Sequence, residues 1–575
     1  MNIPRSEHPK PQFQRDNWIN LNGEWAFEID NGCSGIARGL AQAETLSGKI
    51  TVPFCPQSKL SGVEHTDFIR GVWYKRRVTL TEAQCNECIR IHFGAVDYHC
   101  TVFVNGQEIG THHGGYVSFA FDIADFVHPG ENIITVYAED DERDPMIPRG
   151  KQSNRYHSYG CLYTRTTGIW QTVWLEFLPH THIEKVKFYP DVDTGTVRIT
   201  AELCGAAELS VSAAYQGKEV GNVSKFVNGG YTELSIQFSE VYLWEVGCGR
   251  LYDLTLRYGE DTVKSYVGLR SIQLDGLRFR LNGKSVFQRT ILDQGFYPDS
   301  IYTAPDDLEL QRDIARSMAC GFNGARLHEK VFEERFLYHC DRMGYIVWGE
   351  YPSWGLNHTS PNAIYSILPE WTAEIERDFN HPSIIGWCPF NETWDINGHQ
   401  QYNELLRLVY RTTKAIDCTR PCIDTSGNYH VETDIFDIHN YTQDPEAMAF
   451  YLAPLETEHA FAVSPDKHLS SIDKRQKYDG KSPVFVSEYG GIGWSTAENG
   501  WGYGNSPKTS EEFIARFRGL TEAIMNNPCV MGLCYTQLTN VEQEQNGLYT
   551  YDRQPKFDPE IFHEILSQQA AIEKE

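Results

Sequence analysis

Along the first third of the chain, apolar and polar residues alternate with period two. Ile89, Ile91 and Phe93 form one such series, and Tyr98, Cys100, Val102 and Val104 form another, as expected of half-buried strands. Asn105-Gly106 follows the second series at once and predicts a hairpin, because both residues tolerate positive φ. A further strand is predicted over 133–137, after Pro129-Gly130. The next hundred residues repeat the habit on a smaller scale, with Val197, Ile199, Ala201 and Leu203, then Tyr252, Leu254, Leu256 and Tyr258. Neither region carries a long amphipathic helix. The pattern predicts two successive β-sandwiches, over residues 1–180 and 181–274.

After Gly276 short apolar runs alternate with helical segments. The runs lie at 286–292, 322–328, 345–351, 383–392, 421–427, 434–441, 483–490 and 530–538. Helices between them are marked by Tyr402, Leu405, Leu406 and Val409 on one face, and by Phe513, Phe517, Leu520 and Ile524 on another. Eight such units over 275–575 predict a (β/α)8 TIM barrel, with the helix between the fifth and sixth runs weakly marked.

Composition narrows the partners. Hydrophobic residues make up 41% of the 575 positions, which excludes wholesale disorder. The formal charge of −26, with no basic stripe, argues against nucleic acid and against anionic membranes. No apolar run reaches the roughly 18 residues of a membrane-spanning helix. The opening residues lack the apolar core of a signal peptide, so a cytoplasmic location is expected. Fifteen cysteines without framework spacing read as reduced thiols, and the single CxxC of Cys85 and Cys88 lacks a second half to make a zinc site. No metal or cofactor is expected. The natural partner is a neutral small molecule or polymer.

In such a barrel, functional side chains sit at the C-terminal ends of the strands. Those positions hold Asp293, Arg326, His328, Glu350, Asn391, Glu392, Tyr441, Glu488 and Gln537. Glu392 and Glu488 each closely follow a run of strand apolars, which is awkward for a solvated surface carboxylate. The bland alternative is an ion pair at the barrel mouth, with Arg326 supplying the cation. The chemical one is glycosidic cleavage, which needs a proton for the leaving oxygen and a nucleophile or stabiliser for the oxocarbenium-like carbon. Trp348, Trp354, Trp387, Trp394, Trp494 and Trp501 crowd these loops, and sugar rings stack their C–H faces on such side chains.

Taken together these segments resemble glycoside hydrolase family two, the β-galactosidase, β-glucuronidase and β-mannosidase family. The likeness is carried by LNGEW (21–25), WYKRRVTL (73–80), the run over 92–123 and TGIWQTVWLE (167–176), and by GLRSIQ and FRLNGKSV ahead of the barrel. It implies a jelly-roll sugar-binding-like sandwich, an immunoglobulin-like sandwich and a catalytic barrel. It further implies that Glu392, in the Asn-Glu pair, is the acid/base and that Glu488, in SEYGG, is the nucleophile. Tyr441 would hydrogen-bond the nucleophile, and Asn391, Asp293, Arg326, His328, Glu350, Trp494 and Gln537 join it as expected substrate-binding residues. The implied activity is that of a retaining exo-glycosidase working through a covalent glycosyl-enzyme. The resemblance also allows a homo-oligomer.

Departures from the family pattern bear on the sugar. Where β-glucuronidases carry an Asn-x-Lys ahead of a GxxxxDRQPK tail, the lysine gripping the uronate, this chain has Glu544 and Asn546. The family's Arg-x-Ser-His-Tyr-Pro run reads Arg326-Leu-His-Glu-Lys, and the metal ligands of large β-galactosidases have no counterparts. A neutral β-glycoside is therefore expected, β-galactoside first, with β-galactofuranosides or other β-glycosides as alternatives. The rival from another class is a carbohydrate-binding protein without turnover.

Overall fold

The computed structural model describes residues 3–427, 429–453, 478, 480–495 and 500–574. The first sandwich has a four-stranded sheet in the order Trp18–Asn20, Val173–Leu178, Cys88–Phe93 and Phe119–Asp122. Against it lies a six-stranded sheet ordered Gly48–Val52, Gly23–Ile29, Gly71–Leu80, Gly130–Glu139, His99–Val104 and Gln107–His113. Alternation sends Ile89, Ile91 and Phe93 inward to meet Val102, Val104, Ile134 and Val136. Asn105 and Gly106 make the hairpin with φ of 51° and 78°, as a two-residue turn between twisted strands demands. The second sandwich packs a three-stranded sheet on a four-stranded one, closing around Phe188, Ile199, Leu234 and Leu256.

Seven of the eight expected barrel strands form one parallel sheet. Its order is Ile384–Cys388, Ile346–Glu350, Gly324–Leu327, Gln288–Asp293, Val530–Thr536, Val484–Gly490 and Phe436–Asn440. Helices on the outside cover strands that are apolar on both faces, which is why these runs show no alternation. Four of these helices start on side-chain caps, among them Asp306 accepting from the Glu309 amide and Thr509 from that of Glu512. The helix Asn403–Ile416 buries Leu405, Leu406 and Val409. Tyr402 does not share that face; it precedes the first helical residue and is largely exposed.

The eighth expected strand, 421–427, differs. It touches Ile384–Cys388 and the residues after it only through single parallel bridges, Trp387 to Cys422 and Asn391 to Ser426. Side chains replace the missing ladder. The Asp424 carboxylate accepts from the amides of Val431 and Glu432, and His430 stands between Asp424 (2.7 Å) and Asp437 (3.0 Å). No helix forms between 427 and 436 among the described residues.

An aromatic seam joins the first sandwich to the barrel. Tyr116, Tyr163 and Trp170 pack against Phe296, Tyr302 and Val331, with Trp170 and Tyr302 4.7 Å apart between centroids. Beyond the seam, the Arg149 amide donates to the Trp354 carbonyl and that of Gly150 to the Pro352 carbonyl. A Cβ on Gly150, whose φ is +57°, would lie 2.3 Å from the Glu329 carbonyl oxygen. Only glycine fits so close an approach in that conformation. The segment 149–163 thereby reaches the barrel mouth.

Candidate active site

Glu488 lies within Val484–Gly490, and its two oxygens are held separately. Arg326 Nη1 donates to Oε1 at 3.0 Å, and the Tyr441 hydroxyl donates to Oε2 at 2.5 Å. Arg326 is braced in turn, through Nε to Glu350 (2.5 Å), Nη1 to the Ser487 carbonyl and Nη2 to Asn391 Oδ1 (3.1 Å). Burial and the Glu488 charge keep the Tyr441 phenol protonated well above its ordinary range. The Tyr441 ring stacks on Tyr503 at 3.6 Å.

Glu392 follows the strand Ile384–Cys388 in a left-handed conformation, φ 45°, a cost that the surrounding bonds must hold. Its amide donates to the Ser426 carbonyl at 2.8 Å, so the irregular 421–427 segment fixes this residue. Oε1 lies 2.8 Å from His439 Nδ1, and the Trp394 indole approaches Oε2 at 3.4 Å. His439 Nδ1 is also 3.3 Å from Glu488 Oε2, while Nε2 meets the Ser426 hydroxyl at 2.9 Å. One donor atom each from Glu392, His439 and Glu488 lie within 4.8 Å of one another. Such a set could hold a metal ion, yet Arg326 and Lys151 already supply positive charge there and disfavour a further cation.

Repulsion from a nearby carboxylate such as Glu488 would by itself raise the Glu392 pKa. Burial does push it up, but the bond and charge of His439, with help from Lys151, outweigh that and leave it below the ordinary carboxyl value. Burial depresses His439, whereas Glu488 and then Glu392 raise it above 6.5 overall. The two groups thus hold one proton between them, mostly on the imidazole, and titrate as a pair.

The structure gathers Asn391, Glu392, Tyr441, Glu488, Arg326, His328 and Glu350 into one network, His328 Nδ1 lying 3.2 Å from Glu350. Among the described residues Asn391 Nδ2 is buried without a partner, a donor on the residue next to Glu392. Gln537 joins the far wall, donating to Asn546 and leaving Oε1 without a partner among the described residues. Two expected residues lie elsewhere. Asp293 faces Asp313, Arg553 and Lys330, and burial raises its pKa to about 6. Trp494 packs on Phe557 and Phe513 behind the pocket. Trp348 and Trp387 are core, whereas Trp394 is 44% exposed beside Glu392.

Several pocket residues went unread in the sequence. His439 stands two positions before Tyr441, which directly follows the strand Phe436–Asn440, and that period-two spacing could have revealed it. Ser426 and Lys151 carried no signal. Lys151, from the segment beyond the seam, places its ammonium 3.6 Å over the Trp354 ring, facing Glu544, Glu392 and Glu488.

Three family models match the chain: "Glycosyl hydrolases family 2, sugar binding domain" over 19–147, "Glycosyl hydrolases family 2" over 181–270, and "Glycosyl hydrolases family 2, TIM barrel domain" over 303–493. The chain belongs to glycosyl hydrolase family 2. Among its relatives is a β-galactosidase of Thermoanaerobacter pseudethanolicus, 26% identical over 61% of this chain and 48% of that protein. A β-glucuronidase of Streptococcus agalactiae is 22% identical and covers 94% of both chains. The chain spans about half the length of the first curated relatives it matches. Its fold is that of the Lactobacillus rhamnosus β-glucuronidase, with a TM-score of 0.78 over 98% of this chain and 99% of that one, at 22% identity. Among the described residues no helix is long and apolar enough to cross a membrane.

Proposed function

We propose that this family 2 member is a retaining exo-β-glycosidase that removes a neutral terminal sugar, β-galactose first, by double displacement. The observation that carries the reading is the approach of Glu392 and Glu488, one oxygen of each lying within 4.8 Å of the other and of a His439 ring nitrogen. Retaining enzymes hold their carboxyls about 5–5.5 Å apart, whereas inverting ones leave about 6.5–9.5 Å for a water.

Glu488, its oxygens aligned by Arg326 and Tyr441, attacks the anomeric carbon and forms an ester. The leaving oxygen takes the proton that Glu392 and His439 share. Once Glu488 is esterified its charge is gone, and His439 loses the largest influence that raised it. His439 then stays neutral, and Glu392 is free to take a proton from the water that attacks the ester. The free Asn391 amide suits the hydroxyl next to the anomeric carbon, where hydrogen bonds strengthen in the transition state.

The neutral-sugar reading rests on Glu544, which is buried in the pocket and accepts from Tyr163 (2.5 Å) and Asn546 (3.0 Å). A uronate seated there would meet the Glu544 carboxyl group, and Asn546 stands where the uronate-gripping lysine of β-glucuronidases is expected. Glu488→Gln tests the mechanism: turnover should fall by about four or more orders of magnitude, because the amide can neither attack nor balance charge. A 2-deoxy-2-fluoro glycoside should label Glu488 in the wild-type protein. Labelling of another carboxylate would refute the assignment.

A further inference from the structure

Every cation of the pocket but one has a partner. Arg326 is bonded to Glu350 and Glu488, and His439 to Glu392. Lys151 is only 5% exposed, yet among the described residues its ammonium makes no hydrogen bond or ion pair, only the contact with the Trp354 ring. An ammonium carries three donors, and with only a ring face against it those donors are free for a ligand. Glu544, Glu392 and Glu488 act on Lys151 as opposite charges, and Tyr163 ties the first of them to it: the Tyr163 amide donates to the Lys151 carbonyl at 2.7 Å, and the Tyr163 hydroxyl donates to Glu544. Tyr163 thus links a donor lent by the sandwich to an acceptor lent by the barrel.

We propose that Lys151 and Glu544 bind hydroxyls of the terminal sugar, the ammonium donating to one and the carboxylate accepting from another, so that the sandwich domain selects a neutral sugar. Adjacent hydroxyls match a donor–acceptor pair, whereas a uronate carboxylate would satisfy Lys151 only by approaching Glu544. A site built to bond a hydroxyl strongly rejects a substrate lacking it, because its own buried groups are left unpaired. The inference rests on the glycosidase reading above.

The test is kinetic, on the full chain. Wild type, Lys151→Met, Lys151→Arg and Glu544→Gln are compared on the best neutral chromogenic glycoside, its monodeoxy analogues and the matching glucuronide. Lys151→Met should lower kcat/KM on the parent by about 10- to 100-fold, mainly through KM, as for loss of a charged hydrogen bond. On the one deoxy analogue that lacks its hydroxyl, that loss should shrink to about unity, and Lys151→Arg should restore part of the parent activity. Glu544→Gln should shift the ratio of rates toward the glucuronide. If Lys151→Met does not fold, Lys151→Gln carries the same comparison. An unchanged kcat/KM, or an equal loss on the parent and every analogue, would overturn the proposal. So would a wild type that prefers the glucuronide and loses that preference with Lys151. Wild-type inactivity on every glycoside would refute the functional reading and this inference with it; activity with an unmoved Lys151→Met refutes this inference alone.

Discussion

The pocket has two kinds of wall. One is built from strand ends, where Arg326, Glu350, Tyr441 and Glu488 brace each other through bonds of 2.5–3.0 Å. The other is the segment 149–163, which reaches in from the first sandwich and presents a lysine with no bonded partner among the described residues. The braced wall suits chemistry, since a nucleophile and an acid must be held close to their reacting geometry. The unbraced group suits recognition, since its bonding capacity is still free for a ligand. Substitutions on the two walls should therefore fail differently: those on the strand wall in the chemical step, those on the lent wall in substrate affinity.

The largest effect should come from the strand wall. Glu392→Ala should slow alkyl glycosides by about 10²- to 10⁴-fold, since their leaving groups need a proton. Aryl glycosides with good leaving groups should lose far less in the first step, and azide should rescue the second by giving a β-glycosyl azide. An α-azide, or equal losses without rescue, would mean that Glu392 is not the acid/base.

Tyr441→Phe should come next, lowering kcat by about 10- to 100-fold with Tm nearly unchanged, because Glu488 loses one of its two aligning bonds. Equal kinetics would reduce Tyr441 to a packing residue. On the lent wall, Gly150→Ala should raise KM several-fold with little change in kcat, because the new Cβ collides with the Glu329 carbonyl and displaces Lys151. The left-handed backbone adds on the order of 1 kcal/mol of destabilisation. A fall in kcat with KM unmoved would erase the contrast between the walls.

The smallest effect on activity is expected at His430, where side chains stand in for a strand ladder. Burial lowers its pKa, but bonds to Asp424 and Asp437 raise it from 6.5 to about 10. The stability this provides is complete below pH 6.5 and is lost as pH rises through about 10. Burial raises Asp437, yet His430 and its other partners bring it down to about 2, so its contribution holds above pH 3.8 and fades toward pH 2. His430→Gln should lower Tm by a few degrees at pH 6 and converge on wild type toward pH 10. Parallel curves across that window would show that the clasp is not what holds the segment.

Much of this architecture could be read in advance. Ile89, Ile91 and Phe93 declare a strand, Asn105-Gly106 a turn, and Glu392 and Glu488 stand out because each closely follows strand apolars. Less was legible where one residue type serves two ends. Trp387 and Trp394 look alike in sequence, but one is core and the other flanks the acid. The run 421–427 looked like its neighbours, although Asp424 and Ser426 turn their bonding capacity to amides and side chains instead of a ladder.

Periodicity, turn chemistry and the placement of acids after apolar runs are local properties, set by backbone sterics and by which face is buried. They suffice for the order of the elements and for the pair of carboxylates. The proton shared by Glu392 and His439, the support of Glu392 by Ser426, and the arrival of Lys151 opposite Glu544 depend on contacts between segments far apart in the chain. Those contacts exist only after the sandwich docks and the strands align. They, rather than local pattern, set where charges sit, because the energy of a charge depends on burial and on neighbours that the chain order does not reveal.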